Sequence, residues 1–394
     1  MKTYQEICQH IDASIDKNRD ELFRLNTDIA SHPELSGEEY ETTRKIRTVL
    51  EQHGFSVTMP FDGMDTAFFA VSGSNHHKYK IAILAEYDAL PEIGHGCGHC
   101  LSGSISCLAG IALSDLQDEL DADIHIIGTP AEETVGKKAE MAAHGVFDPY
   151  DMAIMVHLYN ENLPSQIHQA LLESVYTFHG KAAHAASNPW DGINALNAVQ
   201  LMFHAVDMLR QHITPDARLH GYISNGGSAP NIVPDTAECE FYVRALHKEY
   251  ARELLRKLDD IAKGACLMTG ATVDKTVKDN PFDDFTHNRF GDECLQEVYD
   301  EIGLPRNGHP DKIFGSSDAA NVSTICPTFH ACLQLSPQEI PIHTREFAGL
   351  TCTEKGHECL MQGAKIISHQ IAKIFGDEEN IRKMKSDFEK AVRK

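Results

Sequence analysis

Residues 81–84 form a short apolar run, and the loop that follows them carries three side chains that can bind a metal or act as a nucleophile. These are His95, Cys97 and His99. Glycine occupies positions 94, 96 and 98. A thiolate and an imidazole separated by one residue, on backbone that glycine lets bend, can bind one metal ion or two ions that share the sulfur. A buried cysteine beside two surface histidines is the alternative interpretation, and these residues alone do not decide between the two.

Apolar runs at residues 81–84, 124–128 and 152–158 predict buried strands. Further acidic and imidazole side chains lie at or just after the ends of these strands. Predicted helices separate these strands, and this alternation predicts a mostly parallel sheet with helices on both faces. Since such sheets bind ligands at the carboxyl ends of their strands, we expect one edge to collect the side chains found there. They are Asp88, Glu132, Glu133 and His157, together with the Cys97 loop.

The adjacent carboxylates of Glu132 and Glu133 predict two different roles, because neighbouring side chains cannot point the same way. One can bind a metal while the other acts as a base toward a metal-activated water. Asp88 can orient a metal ligand through a hydrogen bond, or it can cap a turn. The Glu-Glu pair can also be a solvated turn, and His157 a buried histidine of the core.

The order of predicted elements divides the chain into two domains. Residues 1–172 and 286–394 predict an α/β domain with a mostly parallel sheet. Residues 173–285 predict the order βαββαβ, an inserted ferredoxin-like α+β domain. The last residues, 376–394, predict a solvated helix.

Charge and composition argue against several classes of partner and location. The net charge of −23 disfavours nucleic acid and anionic membranes. The N-terminal residues are charged and lack an apolar leader, and no apolar stretch approaches the ~18 residues of a membrane span. Eleven cysteines, an odd number without framework spacing, predict reduced thiols and a cytoplasmic protein.

Seven stretches of the sequence carry a resemblance to a known family: AEYDALPEIGHGCGHC, GTPAEETVGKKAEMAAHGVF, AIMVHLY, GKAAHAASNPWDGINAL, GGSAPNIVPDTAECEFYVRA, SSDAANVS and IPIHTREFAG. In this order they resemble the two-metal amidohydrolase and metallopeptidase family of aminoacylases, carboxypeptidase G, auxin-conjugate hydrolases and aminobenzoyl-glutamate hydrolase. They cover nearly the whole chain. The IGHGCGH and PNIVPD versions are most similar to the branch that holds aminobenzoyl-glutamate hydrolase and related small dipeptidases.

The resemblance implies two divalent ions per subunit, Zn²⁺ or Mn²⁺, and Cys97 as the thiolate that they share. His99 and His157 would complete one ion, and Glu133 and His343 the other. It further implies Glu132 as the general base and later the acid, with Asp88 orienting the ligands.

In the inserted domain, the resemblance implies that His184 stabilises the oxyanion, in the site of a neighbouring subunit. Asn231 and Arg244 would hold the carboxylate or amide of the substrate, since arginine pairs well with carboxylates. The loop around Ser317 would shape the substrate pocket. The inserted domain would act as a lid and form a homodimer, and the α/β domain would be a phosphorylase/hydrolase-like catalytic domain that holds both metals.

Two positions depart from the family pattern. Many relatives carry a metal-binding histidine where this chain has Glu86, so that His99 must compensate. Relatives usually have Asp or Asn after the second ligand, where this chain has Cys100, which we expect to be an inert core thiol.

We therefore expect a metal-dependent amidohydrolase that cleaves the amide bond of N-acyl amino acids, small dipeptides or aminobenzoyl-glutamate. One alternative is a cysteine hydrolase with Cys97 as nucleophile and His99 as base, although no orienting third residue is obvious. The other alternative is a metal-binding paralogue without activity. The intact pair Glu132 and Glu133, together with His184, argues against this last interpretation.

Overall fold

The computed structural model describes residues 2–73, 76–309, 312–313 and 315–393. The chain divides into two compact units, of which unit 1 comprises Met1–Ile167 and Phe285–Lys394 and unit 2 comprises His168–Asp284. Unit 2 thus begins a few residues before the boundary expected at residue 173. The reason is that its first strand already pairs with a neighbour from Ala170 onward.

The strands of the described chain are β1 (Phe55–Thr58), β2 (Phe68–Ser72), β3 (Tyr79–Ala85), β4 (Ala122–Gly128), β5 (Met152–Tyr159), β6 (Ala170–His179), β7 (Arg218–Asn225), β8 (Thr236–Ala245), β9 (Thr272–Thr276) and β10 (Thr328–Gln334). The helices are α1 (Tyr4–Ser31), α2 (Tyr40–Gln52), α3 (His99–Leu113), α4 (Gln117–Leu120), α5 (Lys137–Ala143), α6 (Ala195–Leu209), α7 (Lys248–Thr269), α8 (Arg289–Glu301), α9 (Ala319–Ser323), α10 (Arg345–Leu350), α11 (Glu354–Phe375) and α12 (Glu378–Val392).

Unit 1 is built on a six-stranded sheet in the order β1-β2-β4-β3-β5-β10. Strands β4, β3, β5 and β10 are parallel, and β2 pairs with its neighbours in the antiparallel sense. Every residue of β4 is buried, as expected for a strand covered on both faces. The prediction of an α/β domain with a mostly parallel sheet is confirmed.

Helix α3 packs on the sheet at short range because small and hydroxylated residues face it. A Cβ atom at Gly103 would lie 2.5 Å from the carbonyl oxygen of Glu86, so glycine is required at this contact. The hydroxyl groups of Ser102 and Ser106 donate hydrogen bonds to carbonyl oxygens of β5 and β3. All residues of α3 are buried, which places the helix at the centre of unit 1.

The segment His99–Leu120 has the length and apolar composition of a membrane span, contrary to our expectation that none would. However, 89% of its most apolar 18-residue stretch is buried inside the fold. That burial is the property of a core helix, and the serines and glycines of α3 have their contacts within the protein.

Unit 2 is a four-stranded antiparallel sheet in the order β7-β8-β6-β9. Along the chain its elements follow the order β6-α6-β7-β8-α7-β9, so the predicted ferredoxin-like pattern is confirmed. From Pro189 the sequence predicts one long helix over residues 189–211, and the observed α6 is shorter than this. Asn194 caps it by accepting a hydrogen bond from the backbone N–H of Asn197, and Pro189–Asp191 form a separate turn.

The final helix α12 differs from the solvated helix predicted for residues 376–394. Ile381 and Met384 are buried in the core of unit 1. The carbonyl oxygen of Met384 accepts a hydrogen bond from the side-chain amide of Asn288. The prediction of a fully solvated helix was therefore wrong. Two apolar residues on one side of α12 are enough to bury that side against unit 1.

Candidate metal centre

The side chains expected at one edge of the sheet are brought together there. Strands β4, β3 and β5 are parallel neighbours, so their carboxyl ends lie side by side. Asp88 follows β3, Glu132 and Glu133 follow β4, and His157 lies near the end of β5. The Cys97 loop continues from β3 along the same edge and ends at the start of α3.

Two groups of potential metal ligands share the sulfur of Cys97. Cys97, His99 and His157 each offer one ligand atom, and these atoms lie within 4.8 Å of one another. The same holds for Cys97, Glu133 and His343. The structure therefore assembles, residue for residue, the two sets that the family resemblance implied.

Glycine makes the close approach of the two loops feasible. A Cβ atom at Gly96 would lie 3.0 Å from Cα of His343 and 2.9 Å from a methyl carbon of Ile93. The backbone N–H of His343 donates a 3.0 Å hydrogen bond to the carbonyl oxygen of Gly96. His343 itself has a φ of +62°, a strained backbone conformation for a residue with a side chain. This strain is held in place by the contact between the loops.

Asp88 fixes the orientation of His99 from behind. Its carboxylate is 2.8 Å from Nδ1 of His99, and it also accepts hydrogen bonds from the hydroxyl of Ser36 and the backbone N–H of Glu133. The pKa of Asp88 is lowered: burial would raise it, but the attraction of His99 and these hydrogen bonds outweigh burial. A charged Asp88 therefore keeps the proton of His99 on Nδ1 and leaves Nε2 for a metal.

The nitrogen that Asp88 leaves free lacks an ordinary hydrogen bond. Nε2 of His99 is buried, makes no hydrogen bond within the described part of the chain, and lies 3.4 Å from the carboxylate of Glu86. Burial lowers the pKa of His99, but Glu86 and Asp88 raise it well above its usual value. The surroundings of this ring thus favour a positive charge, which a metal ion supplies.

Cys97 leads to the same conclusion. Its pKa is raised well above the usual value, by burial first and then by the negative charges of Glu133 and Glu132. Without a cation the sulfur remains a thiol in this acidic setting, whereas a metal ligand must be a thiolate. A divalent ion fits the donor set of sulfur, imidazole and carboxylate.

The same facts argue against Cys97 as a nucleophile. A nucleophilic cysteine needs a lowered pKa and a base that contacts it. Here the pKa is raised, and the imidazole of His99 is directed through Nδ1 to Asp88. We therefore set the cysteine hydrolase aside.

A buried cluster of charges surrounds the carboxylate of Glu132. Nζ of Lys138, a fully buried lysine, lies 2.7 Å from Glu86 and 2.6 Å from Asp318. Glu86, Glu132 and Asp318 place carboxylate oxygens within 4.8 Å of one another. Neither Lys138 nor its contact with Glu86 was predicted from the sequence. There, Glu86 was only a departure from the family pattern.

The environment of Glu132 favours a carboxyl group that accepts protons readily. Desolvation and the negative charges of Glu86 and Asp318 raise the pKa of Glu132 well above its usual value. The loop before it is held by Glu39, whose carboxylate accepts a hydrogen bond from the backbone N–H of Ala131. Ala131 has a φ of +55°, which turns the chain sharply between Pro130 and Glu132.

Each of the three residues implied in unit 2 makes hydrogen bonds with other residues of that unit. Nδ1 of His184 accepts hydrogen bonds from the backbone N–H groups of Ala186 and Ser187, so the proton of the neutral ring is on Nε2. Arg244 donates from Nε to His220, and Asn231 accepts a hydrogen bond at its backbone carbonyl from Ala185.

Ser317 and Cys100 take structural positions in unit 1. Ser317 is buried, and its hydroxyl accepts a hydrogen bond from the backbone N–H of Ala319 at the start of α9. Cys100 lies in the hydrophobic core beside the centre, where burial raises its pKa to about 12. Its thiol therefore has the surroundings of an inert core residue.

Comparison with known proteins gives relatives that span the chain. The Xaa-Arg dipeptidase of Mus musculus is 31% identical over 90% of this chain and 85% of its own length. One of the subunits of the p-aminobenzoyl-glutamate hydrolase of Escherichia coli is 31% identical over 81% of this chain and 70% of its own length. Residues 168–267, nearly all of unit 2, match the family model of the peptidase dimerisation domain.

Solved structures share the fold at low sequence identity. A dinuclear metal-binding peptidase of the M20 family from Bacillus subtilis is 18% identical, with a TM-score of 0.67 over 91% of this chain and 98% of its own. An aminobenzoyl-glutamate utilization protein from Klebsiella pneumoniae is 17% identical, with a TM-score of 0.69 over 92% and 98%.

A parallel-sheet domain with clustered metal ligands, interrupted by a ferredoxin-like domain, defines a class of enzymes that hydrolyse amide bonds. The chain belongs to the M20 family of peptidases and amidohydrolases.

Proposed function

We propose that the protein is a dinuclear metal-dependent hydrolase of dipeptides and N-acyl amino acids. The observation that carries the proposal is the pair of ligand groups that share Cys97, next to the carboxylate of Glu132. Cys97, His99 and His157 would hold one ion, and Cys97, Glu133 and His343 would hold the other. Zn²⁺ suits this mixture of thiolate, imidazole and carboxylate best, and Mn²⁺ is the second candidate.

When bound, the two ions supply an activated water molecule and a polarised substrate carbonyl. Glu132 then takes the proton of the attacking water, for which its raised pKa makes it a strong enough base. The same carboxyl group returns this proton to the nitrogen of the leaving amine. Asp88 keeps His99 in the required tautomer throughout.

His184 is the proposed donor to the oxyanion in the site of a neighbouring subunit. Its Nε2 carries the proton because Nδ1 accepts two backbone hydrogen bonds, so the ring is already in the donating tautomer. Loss of one oxyanion donor typically costs about 10²–10³ in rate. Arg244 and Asn231 are proposed to bind the carboxylate or amide of the substrate, and Ser317 to shape the loop beside Asp318.

We propose dipeptides with a C-terminal arginine as the first substrates to test, followed by aminobenzoyl-glutamate and N-acetyl amino acids. The support is that the Xaa-Arg dipeptidases of mouse and human match over 90% and 95% of this chain. The metal-loaded protein is incubated with each compound, and the released amino acid is measured.

The matched control is Glu132→Gln, which has the same size and hydrogen-bonding shape. We expect the variant to keep its metal content and to lose turnover by at least about 10²-fold, in the range of general base catalysis. Hydrolysis at the wild-type rate by Glu132→Gln would remove the base assignment. No hydrolysis of any compound by the metal-loaded wild type would contradict the proposed activity.

A homodimer through unit 2 and a cytoplasmic location complete the proposal. Among the described residues, β7 pairs with β8 on one side and with no strand on the other. This open edge carries the exposed side chains of Tyr222 and Ile223, and open edges favour pairing with another chain. All eleven cysteines lie in the described residues as free thiols, which supports a reducing compartment.

A further inference from the structure

A second group of metal-ligating side chains lies at the opposite edge of the parallel sheet from the Cys97 centre. His76, His77 and Asp118 each offer one ligand atom, and these atoms lie within 4.8 Å of one another. The two histidines come just before β3, and Asp118 lies in α4 just before β4. Strand β3 spans roughly 20 Å between the two edges, so the groups are independent.

His77 is held in the way that metal-binding histidines are held. Its Nδ1 lies 2.7 Å from Oδ1 of Asp123, whose side chain is buried. The same oxygen accepts hydrogen bonds from the backbone N–H groups of His76 and His77, which fixes the carboxylate in turn. A carboxylate behind the ring sets the tautomer and raises the basicity of the other nitrogen, here Nε2.

The second ring nitrogen of His77 faces Asp118, and the ring of His76 lies beside it. Nε2 of His77 is 2.9 Å from Oδ1 of Asp118, and the rings of His76 and His77 lie with their centroids 4.4 Å apart. Two imidazoles and one carboxylate are a ligand set that suits Zn²⁺, with room for water as the remaining ligand. Asp118 is 92% exposed, so an ion from solution can reach the site.

We propose that His76, His77 and Asp118 bind an accessory Zn²⁺ ion that is separate from the dinuclear centre. The bound ion replaces the direct contact between His77 and Asp118 and connects the segment before β3 to α4. An ion that binds only the folded chain stabilises it, so we expect the site to contribute to stability. We expect no contribution to catalysis, because the site lies at the other end of β3 from the dinuclear centre. The proposal does not depend on the proposed hydrolytic function.

The test compares full-length wild type with the double variant His76→Ala/Asp118→Asn after equilibration with Zn²⁺. Both substituted residues are exposed, so the core of unit 1 is unaffected. We expect one Zn²⁺ fewer per subunit in the double variant by elemental analysis. We also expect that Zn²⁺ raises the melting temperature of wild type beyond that of the variant, with equal rates of amide hydrolysis. His10→Ala removes an exposed histidine of α1 and is expected to behave as wild type.

Equal Zn²⁺ content in wild type and the double variant would overturn the proposal. A loss of Zn²⁺ in His10→Ala as large as that in the double variant would also overturn it, because it would show unspecific binding to surface histidines. The Cys97→Ala variant distinguishes the two sites. It is expected to keep the accessory ion and lose the others. If Cys97→Ala lost no ion while the double variant still lost one, the accessory site would stand and the dinuclear centre would fall.

Discussion

Lys138 is the residue whose surroundings differ most from those of an ordinary side chain of its type. It is fully buried, and its ammonium group contacts the carboxylates of Glu86 and Asp318. The backbone N–H of Lys138 also donates to Asp318, so the pair is fixed at two points. Burial alone would lower the pKa of Lys138, but Asp318 and Glu86 raise it, and the lysine stays charged.

We predict that Lys138→Met destabilises the fold by about 3–5 kcal/mol, since removal of one partner leaves buried carboxylates without compensation. The neighbouring Lys137 provides the matched control, because it forms a more exposed pair with Glu140 one helical turn away. Lys137→Met is expected to cost at most about 1 kcal/mol. Urea unfolding of both variants measures the difference, and equal losses of stability would contradict the account of the buried cluster.

The ligands could be predicted from the sequence, whereas their supporting residues could not. Cys97, His99 and Glu133 have side chains that bind metals and stand in motifs that resemble a known family. Lys138 follows another lysine and has the sequence environment of a surface residue. Its burial arises only when the fold brings it against Glu86 and Asp318. Ser36, which contacts Asp88, is similarly supplied by a distant loop.

Helices α1 and α11 are joined by a partly buried ion pair. Nε2 of His369 on α11 lies 3.1 Å from Oδ1 of Asp12 on α1. Burial lowers the pKa of His369, but the hydrogen bond to Asp12 and the contact with Cys8 raise it to about 9. The histidine is therefore charged at neutral pH, and the pair stabilises the packing of the two helices.

We predict that the stabilising effect of His369 depends on pH in a defined direction. Its pKa rises on folding from about 6.5 to about 9, so its contribution is complete below pH 6.5 and is lost as the pH rises through 9. The difference in unfolding free energy between wild type and His369→Gln is therefore expected to be larger at pH 6 than at pH 10, by at most about 3 kcal/mol. Chemical unfolding at both pH values measures it, and a difference that grows toward pH 10 would contradict the assignment.

At the level of elements, the periodicity of apolar residues predicted most strands and helices, but not the residues at which they begin and end. The buried strands β3, β4 and β5 follow directly from apolar runs. The start of α6 was misplaced, since the cap at Asn194 competes with the more conspicuous Pro189. The buried face of α12 was missed because its two core residues lie among charged ones.

For the molecule as a whole, the open edge of β7 predicts a dimer with a mass of twice 43.7 kDa. We expect Ile223→Lys to weaken the dimer, because a charge on an edge strand opposes pairing with another chain. Met268→Lys alters another apolar residue that is more exposed than Ile223, on α7, and is expected to leave the dimer intact. Light scattering gives the masses; a monomer for Met268→Lys and a dimer for Ile223→Lys would place the contact on the helices instead.

The central claim is that a single sulfur joins two metal ions at the edge of the sheet, and Cys97→Ala tests it most directly, with the neighbouring buried thiol of Cys100 as the control. We measure Zn²⁺ per subunit and hydrolysis of an Xaa-Arg dipeptide in both variants. Our account predicts that Cys97→Ala loses both ions of the centre together with its activity, whereas Cys100→Ala keeps both. A Cys97→Ala variant that retains the ions and hydrolyses the substrate at the wild-type rate would contradict it.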